Sequence, residues 1–283
     1  MVLFESMQTV AIWSVVFILL LAWIGSGKQP VYIIRSFVKL IIHSRPFLIA
    51  FVSFMFLLVV NKYQLDLEAM MSITWDFTPL IHQIEGQFVY HLQQLVEHPA
   101  LTPIFAFFYL VIFQAIIIAS IGIYAAKGLN SFAVAICYAI TFNYIIAIPF
   151  YLWVPVDEVW SYAPSGVSFL MLDSFPTFEE NYRAFSGLNN CFPSLHTSIS
   201  ATVAMIAWRS GIRRWIWIAC PSAVIIIFSI FYLGIHWVSD MFAGIALAAV
   251  CSWIGLKLAG ISTFQTKTTI SAEQQTSRSL ADS

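Results

Sequence analysis

Residues 189–201 read NNCFPSLHTSISA and residues 232–244 read YLGIHWVSDMFAG, with a basic corner, WRSGIRR at 208–214, and an apolar run between them. His196, His236 and Asp240 thus sit at the ends of hydrophobic segments. Ionisable groups are costly there, about 3 kcal/mol for an Asp at the centre of a membrane helix. Asp240 follows His236 by four residues, which on a helix puts both on one face. A carboxylate beside an imidazole fixes its tautomer and raises its basicity, as a nucleophilic or basic histidine requires. Pro193 and Ser194 are residues that start helices, so His196 belongs to a helix N-terminus whose free N–H groups can face an anion.

Working outward, the 283 residues are 60% hydrophobic and 10% charged with a mean hydropathy of +0.85, which excludes an ordinary soluble domain. The fold class expected is all-α, a polytopic membrane helical bundle of about seven spans. The first run, Val10 to Ile24, has no Lys or Arg before it and reads as an anchored span rather than a cleaved signal. The others are Phe47–Val60, Leu101–Ala125, Phe132–Trp153, Leu195–Trp208, Trp215–Leu233 and Val238–Leu258. In the second intervening stretch Ile81, Ile84, Phe88, Leu92 and Leu95 recur at helical spacing, predicting one amphipathic helix along the interface. Val154 to Cys191 reads as a loop with short helical pieces, and the Ser/Thr/Gln-rich tail from Ile261 as disordered. The division is an N-terminal span and basic loop (1–45), a catalytic helical domain (46–260) and a cytoplasmic tail (261–283).

Charge distribution orients the bundle. With seven spans and the N-terminus outside, the cytoplasmic segments hold Lys28, Arg35, Lys39, Arg45, Lys127, Arg209, Arg213, Arg214, Lys257, Lys267 and Arg278, leaving only Lys62 and Arg183 of 13 basic residues outside. This places the C-terminus in the cytoplasm and the two histidines together on the non-cytoplasmic side, which in a prokaryote is the outer side of the plasma membrane. Net charge is −1, which by itself says nothing about a nucleic-acid partner, and none is expected. The four cysteines have neither metal-type nor disulfide-framework spacing, and Cys191 reads as a small filler rather than a reactive thiol.

The chemistry these residues fit is phosphoryl or phospho-group transfer. Two histidines on facing helix ends serve as nucleophile and general acid, and a helix N-terminus stabilises the oxyanion. Which histidine attacks is left open by the spacing. A His2Asp metal site has suitable residue types, but the His236–Asp240 pair reads more naturally as base plus orienter, so no metal and no cofactor is expected. A lipid transporter or scramblase would place charges near mid-membrane and show repeated halves, and the chain has neither pattern.

Phe-Pro-Ser-Leu-His at 192–196 and Tyr-Leu-Gly-Ile-His-Trp-Val-Ser-Asp-Met-Phe-Ala-Gly at 232–244 resemble the second and third motifs of the type 2 phosphatidic acid phosphatase superfamily. Leu195, where lipid phosphatases usually have Gly, is similar to the branch of aureobasidin-sensitive inositol phosphorylceramide synthases, as are Asn190, Asn143-Tyr144, Pro149 and Pro155. The likeness covers about Phe77 to Leu258. It implies a six-helix core behind the N-terminal span, His236 as nucleophile forming a phosphohistidine, Asp240 as its orienting partner and His196 as the acid for the leaving oxygen.

Two departures bear on the substrate. Ile230 stands where lipid phosphatases carry an Arg after the Ser at 229, and Lys39, Arg45 and Pro46 imitate the first phosphate-binding motif with one residue too few and on the wrong side. A cation-poor site favours a phosphodiester lipid, with one charge, over a monoester with nearly two. The expected function is a lipid phosphotransferase moving a phospho-head-group to a lipid or alcohol hydroxyl. A lipid phosphate or polyprenyl (pyro)phosphate phosphatase is the alternative. Ser194, Asn190, Arg183 and Glu85 complete the candidate site as substrate contacts: Arg183 is either a phosphate clamp or a solvated loop residue, and Glu85 either a head-group contact or part of a solvated helix face.

Overall fold

The computed structural model describes residues 2–71, 73–183 and 186–262, and among these the chain is helical throughout, with no strand beyond an isolated bridge between Val156 and Asn190. Six helical stretches are long and apolar enough to cross a membrane: Met7–Ser26, Arg45–Glu68, Thr102–Ala126, Asn130–Trp153, Arg213–Tyr232 and Val238–Leu258. The chain is thus a multi-pass membrane protein with the all-helical bundle its composition implied. The tail from 263 on, expected to be disordered, lies outside the described residues.

In chain order the helices are α1 (Met7–Ser26), α2 (Pro30–His43), α3 (Arg45–Met71), α4 (Thr78–Glu85), α5 (Phe88–Val96), α6 (Thr102–Phe107), α7 (Phe113–Ala126), α8 (Asn130–Trp153), α9 (Phe178–Tyr182), α10 (Leu195–Ser210), α11 (Arg213–Tyr232) and α12 (Val238–Leu258). A π-helical turn, Phe108–Ile112, joins α6 to α7 within one span.

The seventh expected span is α10, 16 residues or about 24 Å long. That is short of roughly 30 Å of hydrocarbon. It survives because it never meets lipid along its first half: His196 to Val203 are all buried, and α7, α8, α11 and α12 pack around it. Its Ser, Thr and Ala side chains let neighbouring backbones approach, the small-residue packing that holds membrane helices together. Asn143 of α8 accepts from Ser198 Oγ and donates to Thr202 Oγ at 3.2 Å, satisfying polar groups in the middle of the bundle. Gly244 of α12 completes the fit, since a Cβ there would lie 2.8 Å from the Ser194 carbonyl oxygen and 2.9 Å from Thr197 Cβ.

Three expectations about elements change. The basic stretch 25–45, expected as a loop, holds α2, because Ile33 and Leu40 give it an apolar face that packs into the bundle. The short second span is completed by α3 running on to Met71, about 40 Å in all, because its polar end finds tertiary partners: Gln64 meets Asn190, and Glu68 accepts from the Asn189 amide. The single amphipathic helix expected between residues 78 and 96 is broken at Gly86 (φ 61°) into α4 and α5. The break lets the two pieces aim their polar groups differently. Glu85 turns to α12, while Gln93 on α5 donates to the carbonyls of Ser168 (2.9 Å) and Tyr232 (3.0 Å).

Residues 154–191 do form a loop with short helical pieces, and they pack as a cap over the histidine end. Phe175 and Phe178 are fully buried beside Phe4, Trp160 stacks on Phe169, and the N–H groups of Leu3 and Phe4 donate to the Ser174 carbonyl. At the other side of the bundle α1 and α2 pack on α7, and Leu21, Ala22, Ile33 and Leu40 join the same core as α8 and α10.

Candidate active site

The start of α10 is fastened on three sides. Ser194 caps the helix, its Oγ accepting the Thr197 N–H at 3.3 Å, and its own N–H donates to the Asp240 carbonyl at 3.2 Å. Tyr151 of α8 donates its hydroxyl to the Pro193 carbonyl at 3.0 Å. This anchoring sets the His196 ring in a buried slot, stacked 3.8 Å from the Tyr109 ring at 15° and 4.2 Å from Phe113. Tyr109 reaches it from the π-helical turn, a deformation often found at functional sites. Nothing in the run of apolar residues 101–125 marked that turn.

His236 lies two residues before α12 rather than on it, so the pair with Asp240 is made by a different route from the shared helix face expected. Asp240 is in the first turn of α12 and folds its carboxylate back across the helix start, where Oδ2 accepts the Trp237 N–H at 2.8 Å and meets His236 Nδ1 at 3.2 Å. An ionised carboxylate only accepts, so Nδ1 carries the proton and Nε2 keeps its lone pair. Asp240 Oδ1 is buried with no hydrogen-bond partner among the described residues. An under-satisfied carboxylate favours positive charge on the neighbouring ring.

The loop straps this segment in place. Val159 N–H donates to the Ile235 carbonyl (3.2 Å), Trp160 N–H to the Gly234 carbonyl (3.0 Å), and the Trp237 indole to the Asp157 carbonyl (2.9 Å). Cys191 is the residue that sequence reasoning undervalued. Its Sγ donates to the Ile235 carbonyl at 3.1 Å and lies 3.3 Å from His236 Nδ1. Burial, then the charges of Asp240 and Glu158, push its thiol well above the usual range, so it is a neutral donor beside the histidine and not a nucleophile. No local pattern could have placed it there, since 45 residues separate the two.

His196 and His236 line one cavity of about 100 Å³, with Asn190, Cys191, Tyr109 and Glu158 among its other walls. That is the volume of roughly three waters at about 30 Å³ each, enough for a phosphate group and far too small for a lipid. A groove of about 440 Å³ shares His196, Tyr109, Phe113, Tyr144, Tyr182 and Asn61 with it and is otherwise mostly apolar, through Leu58, Leu110, Ile117 and Ile118, with Lys62 and Gln114 on its wall.

The remaining candidates fall outside the cavity or at its edge. Asn190 faces it, its amide 3.4–3.5 Å from that of Gln64. Ser194 is fully buried as the cap just described. Glu85 is a second cap: Oε2 accepts the Val238 N–H and Oε1 the Ser239 N–H, each at 2.7 Å, and Ser239 Oγ adds a third bond. It is half-buried, does not line the cavity, and secures the helix that carries Asp240. Arg183 is held by two carboxylates, Glu158 (2.7 and 2.8 Å) and Glu179 (2.7 and 2.9 Å). Burial works against its charge, but the bonds and charges of the two glutamates prevail and raise its pKa further. Two carboxylates on one guanidinium leave the cluster net negative, so this arginine presents no free clamp to a phosphate.

Of residues that could hold a metal, Cys191, His236 and Asp240 bring one donor atom each within 4.8 Å of one another. This trio replaces His196 of the set considered from sequence with Cys191. Zinc takes thiolate, a form that burial and the charges of Asp240 and Glu158 disfavour here. The trio is accounted for as a hydrogen-bond chain around His236.

Comparison with curated proteins and with solved structures found no match. A family model described as the PAP2 superfamily matches residues 80–254, which takes in α4 to α12 with the cap, both histidines and Asp240. More than half of the chain is covered, and this protein therefore belongs to the PAP2 superfamily, as a membrane-embedded lipid enzyme of the phosphatase and phosphotransferase type.

Proposed function

We propose that the protein transfers a phospho-head-group from a phosphodiester lipid to the hydroxyl of a lipid or alcohol. His236 Nε2 attacks phosphorus, forming a P–N bond as the P–O bond to the leaving alcohol breaks. That oxygen takes its proton from the His196 imidazolium. The neutral His196 then accepts the proton of the incoming hydroxyl while the hydroxyl oxygen attacks phosphorus and the P–N bond breaks, returning His196 to imidazolium and His236 to neutral imidazole. Asp240 holds the His236 tautomer throughout and stabilises the charged ring.

The observation that carries the phosphodiester preference is the double pairing of Arg183 with Glu158 and Glu179. It removes the nearest arginine from phosphate binding and leaves a carboxylate in the cavity wall, conditions a singly charged group tolerates better than a doubly charged one. The apolar groove beside His196 supports a lipid that reaches the cavity sideways. The excess of basic residues at the opposite end of the bundle supports placing the histidines, and the N-terminus, on the non-cytoplasmic side.

Purified protein in vesicles, given head-group-labelled phospholipid with and without a long-chain alcohol, tests this. Transfer gives a labelled phosphodiester product that requires the alcohol. Release of free phosphate from a monoester at a rate indifferent to alcohol would establish the phosphatase instead.

A further inference from the structure

The end of the bundle away from the histidines carries a second, unassigned set of converging groups. A hollow of about 820 Å³ lies between α2 and the turn joining α7 to α8, lined by Lys28, Tyr32, Ser36, Lys39, His43 and Lys127. A second, of about 300 Å³, shares Lys127 and adds Arg213 and Arg214 at the start of α11. None of these lysines and arginines forms an ion pair among the described residues, where the only carboxylate bridges are those of Arg183 and His236. The Lys127 ammonium is disfavoured first by burial and then by Lys28 and Arg214, so its charged neighbours are cations and no carboxylate relieves them. A positive-inside bias explains why such residues lie at one end. It does not explain why they converge.

Helix α2 shows what would relieve them. Ile33 and Leu40 are buried in the bundle, while Tyr32, Ser36, Lys39 and His43 form a polar row along the hollow. Val31, Ile34, Val38 and Ile42 recur at helical spacing on a third face and are 46–70% exposed. A cationic hollow beside an exposed apolar stripe matches an amphiphile with an anionic head. A soluble anion would use only the first of the two.

We infer that the hollow around Lys28, Lys39 and Lys127 binds the head group of an anionic phospholipid whose acyl chains lie along Val31, Ile34, Val38 and Ile42. The site shares no lining residue with the histidine cavity and takes no part in the chemistry. A lipid bound there ties α2 to the α7–α8 turn, and so favours the folded bundle by mass action.

The test uses the full chain in detergent, titrated with an anionic or a zwitterionic phospholipid and read by native mass spectrometry and thermal unfolding. Wild-type protein should bind the anionic lipid preferentially and unfold at a higher temperature with it, the preference falling as salt rises from about 0.05 to 0.5 M. The double variant Lys39→Gln/Lys127→Gln should bind the anionic lipid about 25-fold more weakly, about fivefold for each charge. Its turnover of substrate in zwitterionic lipid should match wild type, which also shows that it folds. Ile34→Ser/Ile42→Ser should weaken lipid binding but not binding of inorganic pyrophosphate. Equal binding of anionic lipid by wild type and the double variant, no lipid preference in wild type, or competition by pyrophosphate that is insensitive to the Ile34 and Ile42 substitutions together with lipid binding that is equally insensitive, would each overturn the assignment.

Discussion

The two ends of the bundle handle charge in opposite ways. Around the histidines the ionised groups answer one another inside the protein: Asp240 meets His236 and the Trp237 N–H, Glu85 caps α12, and Arg183 is shared by Glu158 and Glu179. At the far end Lys28, Lys39, Lys127, Arg213 and Arg214 meet no carboxylate among the described residues. Paired groups in a buried setting hold side chains in one geometry, which catalysis needs. Unpaired ones keep their interaction energy for something outside the chain. One end is thus preorganised and the other receptive, and substitutions should separate them.

The largest effect belongs to the histidines. His236→Ala should abolish turnover, and His196→Ala should reduce it by about 10²- to 10⁴-fold, the usual yield of general acid–base catalysis. Both variants should still fold, with a cooperative thermal transition lowered by the cavity or the unpaired carboxylate each leaves. Turnover within tenfold of wild type in either variant would remove the mechanism, and with it the contrast between the ends.

Next comes the contact that lets α10 and α12 meet. Gly244→Val drives side-chain atoms into the Ser194 carbonyl and Thr197, and should destabilise by about 1–3 kcal/mol, seen as an earlier thermal transition. A variant as stable as wild type would mean that this approach is loose. Glu85→Ala uncaps α12 and should cost about 0.5–2 kcal/mol, with a lower kcat because Asp240 loses its fixed helix start. Partial recovery in Glu85→Gln, with KM unchanged, separates this positioning role from head-group contact; a KM rise with unchanged stability would restore the contact reading.

The smallest effect is expected at Cys191→Ser. A hydroxyl keeps a donor for the Ile235 carbonyl, so activity should stay within about threefold of wild type. Loss on the scale of His196→Ala would give the thiol a direct part in the chemistry.

Much of this was legible in the one-dimensional pattern, for reasons particular residues make plain. Apolar runs of membrane length leave a helix no alternative in lipid, so six of the seven spans could be read directly. The seventh, α10, was legible as apolar but short, and only its encirclement by four helices explains how a 16-residue helix serves. His236 and Asp240 were legible as a pair because four residues separate them, although the contact is made by a helix cap and not along a helix face.

What the chain order by itself determined was the membrane class, the apolar spans, the excess of cations at one end and the residue types able to carry phospho-transfer, since each follows from local composition or from spacings within one turn. What only the tertiary structure decided was where the polar residues spend their hydrogen bonds. Arg183 goes to Glu158, Cys191 to His236 and Glu85 to the start of α12, across 25, 45 and 153 residues. Such partners are chosen by which helix ends the packing brings together, and in a buried setting a polar group must take the partner that packing offers.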